Sequence, residues 1–278
     1  MAADSFNAGV PDLARIRDYW LGGKDNYAAD REAAAALQAA WPSARPGRPP
    51  LPGPHELAVR NRLFLGRAIR YAASLGVAQV VDLGAGFPVS GRSVPGPGGG
   101  RVVLQDSHQS ARSVIPSARC AYVSADPLVT CHLRALAEDG KTVTVVQADP
   151  AAPPAGLAGA GGIDLDAPVC AVMGMTLTLY PAGRARDITA AWVEAMAPGS
   201  VLVVSFCRCD GERLSEQMRA AYVTETHNHT AADMASFLDG LDLVPPGVAP
   251  ARGWQAGWED SPGPDGPVYV LGAVGVKP

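Results

Sequence analysis

A carboxylate and two glycines follow the first strongly apolar run of this chain, where they could hold a small ligand. The run AQVVDLG (78–84) is predicted to be a strand, and Asp82, Gly84, Ala85 and Gly86 lie at its end. Glycines at a strand end let the backbone approach a bound molecule closely, and ligands of open α/β sheets bind at that edge. Asp82 is therefore expected either beside a ligand or in a turn that shapes the loop.

The spacing of these glycines favours one kind of cofactor over another. The order D-x-G-x-G differs from the G-x-G-x-x-G of dinucleotide-binding proteins, and Pro88 delays the start of a following helix. A pyrophosphate held at a helix N-terminus is therefore not favoured. A cofactor without phosphates, such as S-adenosylmethionine, fits the pattern better. A dinucleotide site and a turn without any ligand are the alternatives.

A sheet must position this loop, and apolar runs that recur along the chain predict its strands. Besides 78–84, these runs are RCAYVSAD, TVTVVQAD, PVCAVMGM, SVLVVSF and VYVLGAVG. Helical patterns lie between most of them, at 107–115, 127–138, 184–196 and 230–238. Continuous apolar strands that alternate with helices predict an α/β domain over 76–278, with a mostly parallel sheet covered on both faces.

The first 75 residues show helical rather than strand patterns. Three helices are predicted, at 12–21, 27–40 and 55–75. Gly22 and Gly23 end the first helix, and Asn26 is the expected N-cap of the second. The proline-rich stretch 41–54 cannot be helical and is expected to form an exposed connector.

Composition limits the classes of protein to which the chain can belong. With 278 residues, 47% of them hydrophobic, it can form one large domain or two small ones. A net charge of −4 argues against a broad nucleic-acid surface. No apolar run reaches about 18 residues, so no membrane span is expected, and the N-terminal segment lacks the apolar stretch of a signal peptide. Five cysteines in apolar contexts are expected to be reduced thiols of a cytoplasmic protein.

Several segments together resemble a known family. In order they are PDLARIRDYWLGGKDNYAADREAA, NRLFLGRAIRYAASLGVAQVVDLGAGFP, HQSARSVIPSARCAYVSADPLV, VVQADP, APGSVLVVS and FLDGLDLVPPGV. They resemble the actinobacterial S-adenosylmethionine-dependent methyltransferases of the DUF574 group over nearly the whole chain. The resemblance implies a class I methyltransferase fold, with a seven-stranded, mostly parallel sheet whose last strand is antiparallel. It also implies S-adenosyl-L-methionine as cofactor, a small-molecule acceptor and a monomer or homodimer.

The resemblance further implies that residues 1–75 form a helical cover over the cofactor site. The most family-specific stretch is DYWLGGKDNYAADR, whose polar and aromatic groups are expected to line the site or to lock the cover to the sheet domain. Among them, Lys24 and Asn26 are expected at the cofactor, and Tyr19 and Tyr27 are weak catalytic candidates. Asn61 and Arg62, on the third helix, are expected to face the same cleft.

The remaining expected cofactor contacts lie at the ends of two further predicted strands. Ser124 stands where the family has the carboxylate that binds the ribose, and Asp126 follows two positions later. A neutral hydroxyl contact is about half as strong as a charge-assisted one. Asp106, after an apparent insertion that includes 91–100, is the alternative ribose ligand. The resemblance places Asp149 at the adenine amino group, and a loop cap before Pro150 is its alternative role.

Other departures leave a second function open. Thr178 and Phe206 occupy positions where the family often has histidines, so two candidate general bases are lost. The alternative is therefore a methyltransferase-like protein with a degenerate cofactor site, which binds a partner or catalyses a different reaction. His108, at the start of a helix, is a weak candidate for a base or a substrate contact. The spacings in CRC (207–209) and HNH (227–229) are not those of a usual zinc site, and no metal is expected.

Overall fold

The computed structural model describes residues 7–42, 51–221 and 224–278. The helices are α1 Leu13–Trp20, α2 Ala28–Ala40, α3 Pro54–Ser74, α4 Ser107–Arg112, α5 Pro127–Leu136, α6 Pro154–Ala160, α7 Ala182–Ala195, α8 Glu212–Ala221 and α9 Ala231–Phe237. The strands are β1 Gln79–Leu83, β2 Ser93–Pro95, β3 Arg101–Val103, β4 Arg119–Ser124, β5 Val143–Gln147, β6 Cys170–Gly174, β7 Val201–Cys209, β8 Asp242–Leu243, β9 Ala249–Pro250 and β10 Val268–Val276. Residues 43–50 of the connector expected over 41–54 lie outside the described residues.

One mixed sheet organises the chain, in the order β5-β4-β1-β6-β7-β10-β8. The first five strands are parallel, and β10 runs antiparallel to β7 and β8. The predicted seven-stranded sheet is therefore confirmed, with the two-residue β9 as an addition that pairs with β10. From β1 the chain moves outward to β4 and β5 and then returns to β6 on the other side. The carboxyl ends of β1 and β6 consequently border the crevice where such sheets bind ligands.

Both faces of the sheet are buried, as the continuous apolar runs predicted. All five residues of β1 are buried, with Val80 in the hydrophobic cluster on one face and Val81 in the cluster on the other. The first cluster includes Phe64 of α3, and the second includes Trp192 of α7. Within the described part of the chain, no helix combines the length and the apolar character that a membrane crossing would need.

Helix α3 is a layer of the sheet domain, although it belongs to the predicted cover of residues 1–75. Its buried side chains Phe64, Leu65 and Ile69 pack in the sheet's first cluster. Helix α3 is therefore part of the sheet domain, and Leu37 of α2 also belongs to this cluster. The close approach of α3 depends on Gly272 of β10, because a Cβ there would lie 2.7 Å from the Phe64 ring.

Replacing Gly272 with alanine is expected to lower the free energy of unfolding by about 1–3 kcal/mol, the usual cost of overpacking a core. Urea unfolding followed by circular dichroism measures this change. Gly183→Ala in α7 is the matched control, because nothing lies within 4 Å of the added Cβ. The control should be neutral or more stable by up to about 1 kcal/mol. Equal stability of the two variants would contradict the contact between α3 and β10.

The start of α2 differs from the expected one. Tyr27, not Asn26, is the N-cap, and its backbone N–H donates to Asp30 Oδ2 at 2.8 Å. Asp30 is buried and also accepts from Arg15 Nε at 2.9 Å, which ties α2 to α1. The Asn26 amide instead donates to Asp18 Oδ2 and to the Gly23 carbonyl, each at 3.1 Å.

The segment between β1 and α4 forms a separate hairpin. The run RVVLQD reads as a strand in the sequence, but only Arg101–Val103 is extended, and β3 pairs with β2 rather than with the sheet. Short length and exposure explain this, since alternate residues of β3 face solvent and too few apolar groups are present to join the core.

Candidate active site

A cavity lies between the cover helices and the carboxyl edge of the sheet. Its empty volume is about 1060 Å³, including space open to solvent. Residues of α1, the end of α2 and α3 form its roof and one wall, and the ends of β1 and β6 form its floor. The lining polar and glycine residues are Arg17, Asp18, Asn61, Arg62, Asp82, Gly84, Gly86, Gly174, Thr178 and Thr226.

The two glycines of the floor have different roles. Gly84 has φ +82°, and a Cβ there would lie 2.5 Å from Thr176 Oγ1, so the fold itself requires glycine. Gly86 is not in the left-handed region, and a Cβ there would meet nothing within 4 Å. The protein's own packing therefore does not require a glycine at position 86. The space beside it is available to a ligand.

Asp82 is a buried carboxylate on the same floor, with 4% of its surface exposed. It accepts a hydrogen bond from Ser107 Oγ at 2.5 Å. Burial raises the pKa of Asp82, and the positive charge of Arg62 opposes this shift. The sequence analysis predicted that Asp82 lies either beside a ligand or in a turn that shapes the loop. In the structure, Asp82 lines the cavity.

Arg62 faces the cavity, as expected, and is held by Asp106. Its Nη2 donates to Asp106 Oδ1 at 3.0 Å, whereas its buried Nε has no hydrogen-bond partner in the structure. Asp106 also accepts from the backbone N–H groups of Val89 and Ser90, at 2.9 and 3.1 Å. These contacts occupy the Asp106 carboxylate and fix the base of the β2–β3 hairpin. Asp106 does not line the cavity.

The other predicted strand-end residues lie at the same sheet edge but outside the cavity lining. Ser124 ends β4 and is 5% exposed. Asp126 is the N-cap of α5 and accepts from Leu128 N at 2.7 Å. Asp149 follows β5 and accepts from Tyr180 Oη at 3.0 Å. Burial first, and then the Asp149 charge, raises the pKa of Tyr180 to about 12.

An ion pair between Asp18 and Arg92, called the latch below, joins the end of α1 to the β2–β3 hairpin. Arg92 Nη1 lies 2.7 Å from Asp18 Oδ1, and the Asp18 side chain is fully buried. Asp18 Oδ2 accepts from Asp25 N and from Asn26 Nδ2. A Cβ on Gly23 would lie 2.0 Å from Asp18 Oδ1 and 2.2 Å from Arg92 Nη1, so the latch requires this glycine. Sequence reasoning missed Arg92, because the loop composition of 91–100 indicates only flexibility.

Five further predicted side chains do not line the cavity, among them Asn26, which bonds to Asp18 and Gly23 instead. Tyr19, Lys24 and Tyr27 are exposed on the cover. The backbone N–H of His108 donates to Tyr122 Oη, and its Nδ1 lies 2.8 Å from the same oxygen. Burial lowers the pKa of His108. The geometry therefore gives His108 a structural partner rather than a place beside the cavity.

The backbone conformation of Met175, at the exit of β6, was not predicted from the sequence. Met175 has φ +65°, a conformation that costs energy for a residue other than glycine, and it lines the cavity. Its N–H donates to the Ser205 carbonyl at 2.8 Å. A positive φ at a methionine cannot be predicted from the residue type. The only hint in the sequence was the position of Met175 at the end of a predicted strand.

The two histidines of HNH lie beside this exit. His229 is 3% exposed, and its Nε2 lies 3.0 Å from the Leu177 carbonyl oxygen. The N–H of His227 donates to the Thr178 carbonyl at 2.8 Å. Among the residues that the structure describes, no group of three His, Cys, Asp or Glu side chains could hold a metal ion.

Folding stability is expected to fall at acidic pH through His229. Burial lowers the pKa of His229 and outweighs the Leu177 carbonyl and the Asp233 charge, which raise it, so the unfolded chain binds this proton more readily. Stability from this residue is therefore complete above the unfolded pKa of about 6.5 and declines below it, by at most about 1.4 kcal/mol per pH unit. Urea unfolding at pH 7.5 and 5.5 measures the decline, which should be smaller in His229→Asn. Equal slopes in both proteins would refute this role.

Comparisons with known proteins agree with this geometry. A family model described as S-adenosyl methyltransferase matches residues 1–278. A crystal structure of a Thermobifida fusca protein assigned as a methyltransferase is 27% identical, with a TM-score of 0.79 over 97% of this chain and 96% of that one. A DUF574 family protein from Streptomyces avermitilis is 26% identical, with a TM-score of 0.77 over 97% and 98%. No curated protein matches the chain in sequence. The chain therefore belongs to the S-adenosyl methyltransferase family and is an S-adenosylmethionine-dependent methyltransferase with a class I fold.

Proposed function

We propose that the enzyme binds S-adenosylmethionine in the cavity beneath α1, α2 and α3 and transfers its methyl group to a small molecule. The observation that carries this proposal is Gly86, whose open side faces the cavity although the protein's own packing does not require a glycine there. Such a position lets a ligand approach the backbone closely.

The charges of the floor suit the methionine end of this cofactor. Asp82 is a buried carboxylate beside the cavity and can accept from the cofactor's ammonium group. Arg62 has a buried Nε without a partner, which can donate to the cofactor's carboxylate. Charges of opposite sign in the lining of one cavity match the two ends of a zwitterion, and charge-assisted hydrogen bonds are about twice as strong as neutral ones.

The ribose and adenine contacts are proposed for the neighbouring strand ends. Ser124 and Asp126 are the candidates for the ribose hydroxyls, because Asp106 is already occupied by Arg62 and two backbone N–H groups. Asp149 is the candidate for the adenine amino group. A weakened affinity relative to a carboxylate-bearing relative is expected if the neutral Ser124 hydroxyl is the main ribose contact.

The residues of this chain mainly align the reactants and exclude water. S-adenosylmethionine supplies a methyl group that its sulfonium has already activated. The apolar roof residues Leu13, Trp20 and Leu57 keep water from the cavity, and the glycine floor fixes the position of a bound ligand. Both effects are recognised sources of rate enhancement in reactions that need little acid or base assistance.

Other features support a small acceptor and a reducing compartment. The cavity lies under a cover rather than on an open face, and the net charge is −4, so an acceptor smaller than a nucleic acid is proposed. All five cysteines are free, which supports a cytoplasmic location. The organisms of the two similar structures support an actinobacterial source. A monomer or homodimer is proposed.

Titration calorimetry with S-adenosylmethionine and S-adenosylhomocysteine tests the proposal. Micromolar binding of both is expected, as is a loss of affinity in Asp82→Asn and in Arg62→Gln. The proposal would be rejected if neither compound bound at concentrations up to the millimolar range.

A further inference from the structure

A second cavity adjoins the first beyond the carboxyl ends of β6 and β7. Its empty volume is about 480 Å³, including space open to solvent. Four residues line both cavities: Trp41, Thr178, Cys207 and Thr226. The other lining residues are Cys209, Ser215, Arg219, His227, Asn228 and Val268.

Thr178 stands at the boundary between the two cavities with an unsatisfied hydroxyl. Its Oγ1 is buried and has no hydrogen-bond partner in the structure. Buried polar groups are nearly always paired, so an unpaired hydroxyl on a cavity wall points to a ligand. The polar side chain of Asn228 is different, because it is fully engaged with the Cys209 backbone and Ser215.

The remaining groups of the second cavity define its chemistry. Among its described lining residues there is no carboxylate, and the residues that can carry positive charge are Arg219 and His227. The thiol of Cys207 is neutral, because burial raises its pKa to about 12. Trp41 and Val268 supply flat and apolar wall area. Arg219 would repel a cationic ligand, whereas a ring without positive charge avoids this repulsion and can stack on Trp41.

We infer that the second cavity holds the methyl acceptor, and that this acceptor is a single-ring aromatic compound with a hydroxyl group and no positive charge. This inference rests on the proposed function of the first cavity. Thr178 Oγ1 donates to the acceptor hydroxyl oxygen. His227 carries the only imidazole among the described lining residues, and we assign it the role of general base.

The proposed reaction is an O-methyl transfer. His227 accepts the hydroxyl proton of the acceptor, whose oxygen forms the new O–CH₃ bond while the S–CH₃ bond of the cofactor breaks. The products are a methyl ether, S-adenosylhomocysteine and a proton that passes from the imidazole to solvent.

Ligand-observed NMR with the complex of protein and S-adenosylhomocysteine tests the inference. The probes are 4-hydroxybenzoate and tyramine, which share a phenol but differ in the sign of their charge. We expect 4-hydroxybenzoate to bind about tenfold more tightly than tyramine, and Arg219→Gln to reduce this preference. Thr178→Val should weaken 4-hydroxybenzoate about tenfold, the usual effect of losing one hydrogen bond in a buried site. Thr224→Val, at an exposed position outside both cavities, should leave the affinity unchanged.

Calorimetry of the same proteins separates this inference from the proposed function. If S-adenosylhomocysteine does not bind the wild-type protein, the proposed function fails. If it binds the wild-type protein and Thr178→Val alike, the cofactor cavity is intact and the acceptor inference is tested alone. Three results would then overturn the inference: no binding of 4-hydroxybenzoate at 10 mM or below (roughly the weakest affinity expected for such a fragment), tighter binding of tyramine, or no effect of Thr178→Val.

Discussion

A Gly86→Val variant is expected to lose at least about 100-fold in affinity for S-adenosylhomocysteine, or about 2.7 kcal/mol, while its fold stays intact. The added side chain meets no protein atom within 4 Å of its Cβ, so the protein accommodates it, but it occupies cavity space that the cofactor needs. Calorimetry measures the affinity, and the thermal midpoint should stay within a few degrees of the wild-type value.

Gly84→Val provides the contrast. Its Cβ would lie 2.5 Å from Thr176 Oγ1, and its φ of +82° is strained for a β-branched residue. This variant is therefore expected to lose folding stability as well as cofactor affinity. If Gly86→Val bound S-adenosylhomocysteine normally, the cofactor would not approach this loop, and the assignment of the cavity would be wrong.

Replacing Gly23 with alanine is expected to destabilise the protein by about 2–4 kcal/mol, because the new methyl group breaks a buried ion pair. The methyl carbon would fall on the contact between Asp18 and Arg92, within 2.2 Å of both charged groups. The damage should be local, so hydrogen exchange measured by mass spectrometry should rise first in α1 and α2. The sheet strands should retain their protection until higher denaturant concentration.

A double-mutant cycle makes this prediction specific. Asp18→Ala alone removes the pair and also opens space for the Gly23 methyl group. Gly23→Ala added to Asp18→Ala should therefore cost less than about 1 kcal/mol, well below its cost in the wild-type background. Additive losses would show that position 23 acts through its backbone and not through the latch.

The sheet and its ligand-binding edge could be predicted from the sequence, because both follow from local patterns. The apolar runs that lead to Asp82, Ser124 and Asp149 each contain a parallel strand of the sheet. The glycine floor was likewise visible, since Gly84 and Gly86 follow a strand directly. Periodicity and composition carry this information within a window of a few residues.

The contacts between distant segments could not be predicted in this way. Arg92 reaches Asp18 across 74 positions, and Arg62 reaches Asp106 across 44, so neither pair has a local signature. Asn26 looked like a helix cap by residue type, but the acceptor that matters is Asp30, one turn into the helix. Thr178 attracted attention only as the replacement of a family histidine, because its unpaired hydroxyl becomes visible only in the packed structure.

Because α3 packs on the sheet, the part of the chain that is needed for independent folding is expected to include this helix. Because Phe64, Leu65 and Ile69 fill one face of the sheet, a truncated chain that begins at residue 76 would leave that face open to water. A truncated chain that begins near residue 53 would keep α3 but would lose Leu37 and Trp41, which belong to the same hydrophobic cluster. Independent folding of this enzyme is therefore expected to require α3, the helix that also carries Arg62 to the cavity proposed for the cofactor.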